Sequence, residues 1–152
     1  MTRLMANAWE EVLKPMIFRP KRVQIAALCL RESEDGLRVL MITSRGTGRW
    51  ILPKGWPVSG KDGAQSAEQE AWEEAGVRDA SVLDEPVGRY EYVKQFEDGS
   101  SERVETYVYQ MTVEELAREY PESLERVRRW MHPKEAANLV EEPQLRDLLL
   151  EL

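Results

Sequence analysis

Between Ser66 and Val77 the chain reads SAEQEAWEEAGV, which places four glutamates (Glu68, Glu70, Glu73 and Glu74) within seven positions. Residues three and four apart share one face of a helix, so Glu70, Glu73 and Glu74 would project carboxylates into one small volume. Like charges so placed repel by roughly 0.2–0.5 kcal/mol per pair. Left alone, such a cluster raises some of its own pKa values; with Mg²⁺ or Mn²⁺ it becomes a hard-oxygen site of the kind that also grips phosphates. A solvated acidic face is the plainer account, because glutamate is a good helix former. The surroundings favour the metal. A PKG loop precedes the helix at residues 53–55, glycine stands at both ends of the segment, and Arg45 and Arg49 lie just upstream in SRGTGR. These supply mobile backbone and positive charge where a phosphate chain would lie.

The acidic segment must be held by its neighbours. Ser59 or Asp62 can cap a helix running to Ala75, with Gly76 suited to the left-handed conformation at its end. Ala64, Ala67, Ala71 and Ala75 form a small-residue stripe along that helix, fit for close packing on a sheet. Upstream, the β-rich runs 22–31 and 37–44 flank SEDG and predict a hairpin, with Val23, Ile25, Ala27 and Cys29 on one face. A short strand is expected at 50–52. Downstream, 82–94 and 103–113 read as strands around the polar loop QFEDGSSE, and 124–131 as a further strand. Pro133 opens a short helix through Val140, and Pro143 opens a last one in which Leu145, Leu148, Leu149 and Leu152 recur at core-facing spacing. An amphipathic helix over residues 3–13, ended by Pro15, starts the chain. The order indicates an α+β domain with a mixed sheet between helices.

Composition excludes several function classes. A length of 152 residues with 42% hydrophobic content suits one domain with a real core. Net charge of −7 argues against nonspecific nucleic-acid binding, which rests on phosphate neutralisation by excess lysine and arginine. The longest uninterrupted apolar run, residues 25–30, is far too short to cross a bilayer, and the N-terminal stretch lacks the basic start and apolar centre of a secretory signal. A cytoplasmic protein is expected. The single cysteine, Cys29, rules out an internal disulfide, and a single histidine, His132, leaves a catalytic triad or a histidine-rich zinc site without parts.

Gly55 through Val77 resembles the Nudix box: a glycine, five residues, a glutamate, seven residues, then Arg-Glu-hydrophobic-x-Glu-Glu-x-Gly-hydrophobic. Here it stands as Gly55, WPVSG, Lys61, DGAQSAE, then Gln69-Glu70-Ala71-Trp72-Glu73-Glu74-Ala75-Gly76-Val77, with the spacing kept throughout. Beyond the box, RVQIAALCLRESEDGLRVLMITSRGTGRWILP, TYVYQMTV, RRWMHPKEAANLV and EPQLRDLLL are similar to the branch containing diphosphoinositol polyphosphate phosphohydrolases. An N-terminal helical extension over 1–20 falls outside the resemblance, which implies a single Nudix domain over 21–152, folded as an α/β/α sandwich. It implies Mg²⁺- or Mn²⁺-dependent hydrolysis of a phosphoanhydride in a small phosphorylated substrate, by a monomer or homodimer that needs neither nucleic acid nor membrane. Carried over by position, Glu70 and Glu74 are metal ligands, and Glu73 is the catalytic base or a further ligand. Arg22, Thr43, Ser44, Arg45, Lys54 and Gly55 match positions that contact substrate phosphates, with Arg49 and Arg126 as further basic candidates. Two positions depart from the pattern: Lys61 replaces the first glutamate, and Gln69 the arginine that orients the metal-binding glutamate. The alternative is a silent Nudix domain that only binds its ligand.

The substrate is open between two classes. Gln24 and Glu142 stand where the inositol branch carries basic residues, whereas PKG resembles dinucleoside tetraphosphate hydrolases. Trp50, Trp56, Tyr90 or Tyr92 could stack on a base. The stretch 94–103 could cover the site as a lid.

Overall fold

A computed structural model describes residues 22–152. The helix expected over 3–13 lies outside the described residues. The elements are β1 (Arg22–Ser33), β2 (Gly36–Thr43), β3 (Trp50–Ile51), β4 (Lys54–Gly55), α1 (Gly63–Ala75), β5 (Val77–Val82), β6 (Gly88–Gln95), β7 (Ser101–Leu116), β8 (Arg128–Met131), α2 (Pro133–Leu139) and α3 (Pro143–Leu150). The strands form one mixed sheet in the order β3-β2-β1-β7-β5, with β4 on β1, β6 on β7 and β8 on β2. Among the described residues no helix is long and apolar enough to cross a membrane.

The unbroken apolar run IAALCL has its reason in the pairing at the sheet's centre. There β1 runs parallel to β7 from Arg22↔Val104 to Leu30↔Thr112, so both faces of the strand must be covered. One face presents Ile25, Ala27 and Cys29 to a layer completed by Ala67, Ala71 and Ala75 of α1. The opposite face presents Ala26, Leu28 and Leu30 to α2 and α3 through Ala136, Ala137, Leu145 and Leu149. The result is an α/β/α sandwich, in which Val23 alone of the expected inward set remains exposed. In the β1–β2 hairpin Ser33 pairs with Gly36, whose φ of 102° is open to glycine without strain.

Helix α1 starts at Asp62. Its carboxylate accepts from Gln65 N at 2.8 Å while Asp62 N donates to Gln65 Oε1 at 2.9 Å, a reciprocal capping box. Gly76 ends the helix at φ 71°, and any Cβ there would strike Tyr120 and Arg128.

Two expected strands are redrawn. The run 82–94 is not continuous: β5 and β6 lie end to end along one edge of β7, pairing with residues 111–116 and 101–108, and Pro86 falls in the break between them. Leu83 N and Val87 N still donate to Gln110 O and Val108 O across that break, at 3.0 and 2.8 Å. The strand expected at 124–131 narrows to Arg128–Met131, because residues 121–125 form turns.

Candidate functional site

Burying Ala67, Ala71 and Ala75 against the sheet turns Glu70 and Glu74, one helical turn apart, onto the flank of α1 nearest β4. Both are buried, at 9% and 6% exposure, which is unusual enough for glutamate to demand compensation. Glu74 is fully served. Its Oε1 accepts from Lys54 N at 3.0 Å and its Oε2 from Arg126 Nη2 at 3.2 Å. Arg126 is itself buried, and also donates to Glu122 Oε1 and to the Thr43 carbonyl, each at 3.0 Å. One guanidinium thus ties helix, sheet and the segment before β8 together.

Glu70 is served differently. Its carboxylate lies over Gly55, where an added Cβ would fall 2.7 Å from Oε2, so glycine is required by the approach of an anion. Among the described residues no donor hydrogen-bonds that carboxylate. Burial pushes the Glu70 pKa up to about 7, and the neighbouring charges of Glu74, Glu73 and Glu122 add to the rise. Glu74 is also raised by burial, against the pull of Lys54 N–H and Arg126.

These carboxylates line a cavity of about 840 Å³ whose other walls come from the loop after β2, from β4 and from β6. Lys54 Nζ donates to Tyr92 Oη at 3.1 Å, and Tyr92 Oη donates to Gln24 Oε1. Burial, and then the charge of Lys94, holds the Lys54 pKa down to about 8. Arg49 pairs with Glu141 at 3.1 Å and Glu142 at 3.5 Å, and exposed Arg45 reaches Glu125 at 3.6 Å and Glu122 at 3.8 Å.

Of the residues singled out in the sequence, Ser44, Arg45, Lys54, Gly55, Glu70 and Glu74 share this cavity, joined by Arg49 and Arg126. Arg22, Thr43 and Glu73 are not on its wall. Arg22 pairs with Glu102 and lies over the rings of Trp56 and Phe96, at 5.7 and 5.6 Å. Thr43 spends its hydroxyl on Val127 N at 2.9 Å. Glu73 accepts from Gln69 Nε2 at 2.6 Å. Ser44 Oγ accepts from Arg49 N at 2.9 Å and contacts Thr47 Oγ1 at 2.6 Å, which shapes the loop instead of leaving the hydroxyl free.

Among the aromatic candidates, Tyr90 is core at 1% exposure and Trp50 lies under Arg129, leaving Trp56 and Tyr92 at the cavity. The lid expected at 94–103 is half strand: residues 96–100 form the loop, closed by Phe96 N→Ser100 O at 2.9 Å. Gln24, which stands where the inositol branch carries a basic residue, lines the cavity, and so does Glu122, which was not expected to. Gln24 was visible as the polar residue interrupting a buried strand; nothing local marks Glu122.

A divalent ion fits part of this donor set. Mg²⁺ typically takes one or two carboxylates and completes its shell with water and substrate phosphate, which Glu70 and Glu74 can satisfy as adjacent hard-oxygen donors on one cavity wall. A closed protein cage does not fit: among the described residues no three acidic, histidine or cysteine side chains converge to enclose an ion.

A profile of the NUDIX domain matches residues 20–152. The chain is 31% identical over 118 residues to diphosphoinositol polyphosphate phosphohydrolase 3-beta of Homo sapiens, spanning 76% of this chain and 67% of that one. It is 32% identical over 123 residues to the mitochondrial Nudix hydrolase 16 of Arabidopsis thaliana, spanning 79% and 67%. A crystal structure of a C. elegans Ap4A hydrolase binary complex shares the fold, with a TM-score of 0.59 at 17% identity over 86% of this chain and 93% of that one.

Two outcomes follow from the buried charges. Arg126→Met should destabilise the metal-free protein by about 3–5 kcal/mol in urea unfolding, since it strands Glu74 without its cation, and adding Glu74→Gln should return much of that loss. A loss below about 1 kcal/mol would mean that Arg126 is not the partner that matters. A raised carboxylate pKa contributes stability below its unfolded value near 4.5 and loses it as pH climbs through about 7. In chelator, Glu70→Gln and the unaltered protein should therefore melt together near pH 4.5, with the variant increasingly the more stable toward pH 8. A pH-independent difference would contradict the burial argument.

Proposed function

The chain belongs to the Nudix family of hydrolases, and we propose that it is a Mg²⁺- or Mn²⁺-dependent pyrophosphohydrolase of a nucleoside-linked polyphosphate. The observation that carries this reading is the pair of buried carboxylates, Glu70 and Glu74, sharing one cavity with the basic side chains of Arg45, Arg49, Lys54 and Arg126. Glu70 and Glu74 would hold the ion. When bound, it neutralises phosphoryl oxygens and activates water for attack on the anhydride. The protein's own groups do the rest. Arg126 and Lys54 N–H fix Glu74, so that no reorganisation is needed when substrate arrives. The Lys54 ammonium, steadied by Tyr92, offers charge to a phosphate from the cavity floor. Exposed Arg45 and half-exposed Arg49 can leave their glutamate partners for a phosphate at little cost.

Charge balance argues for the nucleoside class over the inositol class. The cavity carries five basic side chains (Arg45, Arg49, Lys54, Lys94, Arg126) and five carboxylates (Glu70, Glu74, Glu97, Glu122, Glu141). A ring bearing phosphate on every side needs a large excess of positive charge, which this wall lacks. Trp56, 39% exposed at the cavity, gives a base a face to stack on. The similarity to a diphosphoinositol polyphosphate phosphohydrolase supports the inositol reading, and both classes belong in the test. A monomer or homodimer in the cytoplasm, acting on a small molecule, completes the proposal.

A panel of diadenosine polyphosphates and inositol pyrophosphates should show Mg²⁺-dependent cleavage of the former, abolished by chelator. Glu70→Gln and Glu74→Gln should each lower kcat/KM by at least about a hundredfold, the upper end of what loss of a ligand's outer partner costs. Preferential cleavage of the inositol compounds would overturn the substrate class. Ligand-dependent stabilisation without turnover would overturn hydrolysis itself.

A further inference from the structure

We propose that Lys61 and Gln69, the two departures from the Nudix box, are one paired substitution that acts as a positioning relay for Glu73; the inference rests on the hydrolase reading above. Gln69 sits one turn before Glu73 on α1, and its Nε2 donates to Glu73 Oε1 at 2.6 Å. The other end of the same amide, Oε1, accepts from Lys61 Nζ, also at 2.6 Å. An amide has one donating and one accepting end, and an ammonium only donates. Lys61 therefore fixes which way the amide faces. With Lys61 in place the oxygen must turn toward it and the NH₂ toward Glu73; without it the amide is free to present oxygen to the carboxylate, which repels it.

The relay is anchored at both ends. Lys61 N donates to Val58 O at 3.1 Å, and the next residue, Asp62, is locked in the capping box of α1. At the far end the Glu73 carbonyl accepts from Glu122 N at 3.0 Å, in the segment that also carries Arg126 to Glu74. With Oε1 of Glu73 engaged, Oε2 is left for the base role that the resemblance implies for this residue, which lies beside Glu74 in the chain. Changing either partner alone to the residue of the box pattern would break the chain: Lys61→Glu sets a carboxylate against the Gln69 oxygen, and Gln69→Arg sets a second cation beside Lys61. The pair makes sense only together, so neither departure reads as decay of the site. Gln69 takes a positioning role that acts through Glu73, and Lys61 one that acts through Gln69.

A mutant cycle tests this with three readouts: Mn²⁺ affinity of the metal-free protein by electron paramagnetic resonance, kcat and KM on diadenosine tetraphosphate, and the urea midpoint. Lys61→Met and Gln69→Leu should each lower Mn²⁺ affinity and kcat by about tenfold with KM unchanged. The double variant should lose no more than either single one, because both break one chain. Lys61→Arg should restore function, as should Lys61→Glu combined with Gln69→Arg, and the urea midpoint should hold throughout. Additive losses, losses confined to KM or to the urea midpoint, or singles that match the parent would overturn the relay. The two proposals fail separately. A non-additive Mn²⁺ cycle in a protein without turnover sinks the hydrolase reading and keeps the relay; normal turnover with indifferent variants does the reverse. A parent that neither binds Mn²⁺ nor turns over sinks both.

Discussion

Two anionic side chains are buried where helix α1 meets the sheet, and the rest of the site is arranged around the cost of keeping them there. Isolated carboxylates removed from water lose several kcal/mol unless they are paired or hydrogen-bonded. The alanine stripe creates the problem, since fully buried Ala67, Ala71 and Ala75 bring the helix close to the strands and carry Glu70 and Glu74 in with them. Gly55 admits one carboxylate by having no side chain, and Arg126 with Lys54 N–H compensates the other. The compensation is uneven. Glu74 is satisfied by protein, whereas Glu70 keeps an elevated pKa and an open coordination, which is the condition a divalent ion would relieve.

The proposed function requires an acidic protein to hold a polyphosphate, and the same logic applies to it. Its net charge of −7 is no guide to the site, where basic and acidic side chains line the wall in equal number. Several of those cations already have carboxylate partners. Under that proposal phosphates would exchange for such partners instead of meeting bare positive charge.

Much of this was legible in the sequence, and the legible part is local. The Asp62 cap, the Gly76 terminus, the alanine stripe and the tight hairpin each depend on residues within a turn of one another, so periodicity and turn chemistry suffice to place them. The resemblance to the Nudix box singled out Glu70 and Glu74, which share the cavity. What escaped is long-range. Arg126 reaches Glu74 across 52 positions of chain, and no spacing rule marks that arginine above the others. Tyr90 turned into the core because β6 pairs with β7 in a register that only the folded sheet sets. The contacts of Glu73 escaped for the same kind of reason, since its partner Gln69 is held by Lys61 from a loop outside the helix.

Anomalous diffraction from crystals soaked in Mn²⁺ tests the central claim directly. One ion should occupy the cavity between the Glu70 and Glu74 carboxylates, with Arg126 still holding Glu74 and the Gln69–Glu73 contact intact. Crystals that show no ion there, with both carboxylates still packed against Gly55 and Arg126 at saturating Mn²⁺, would contradict it.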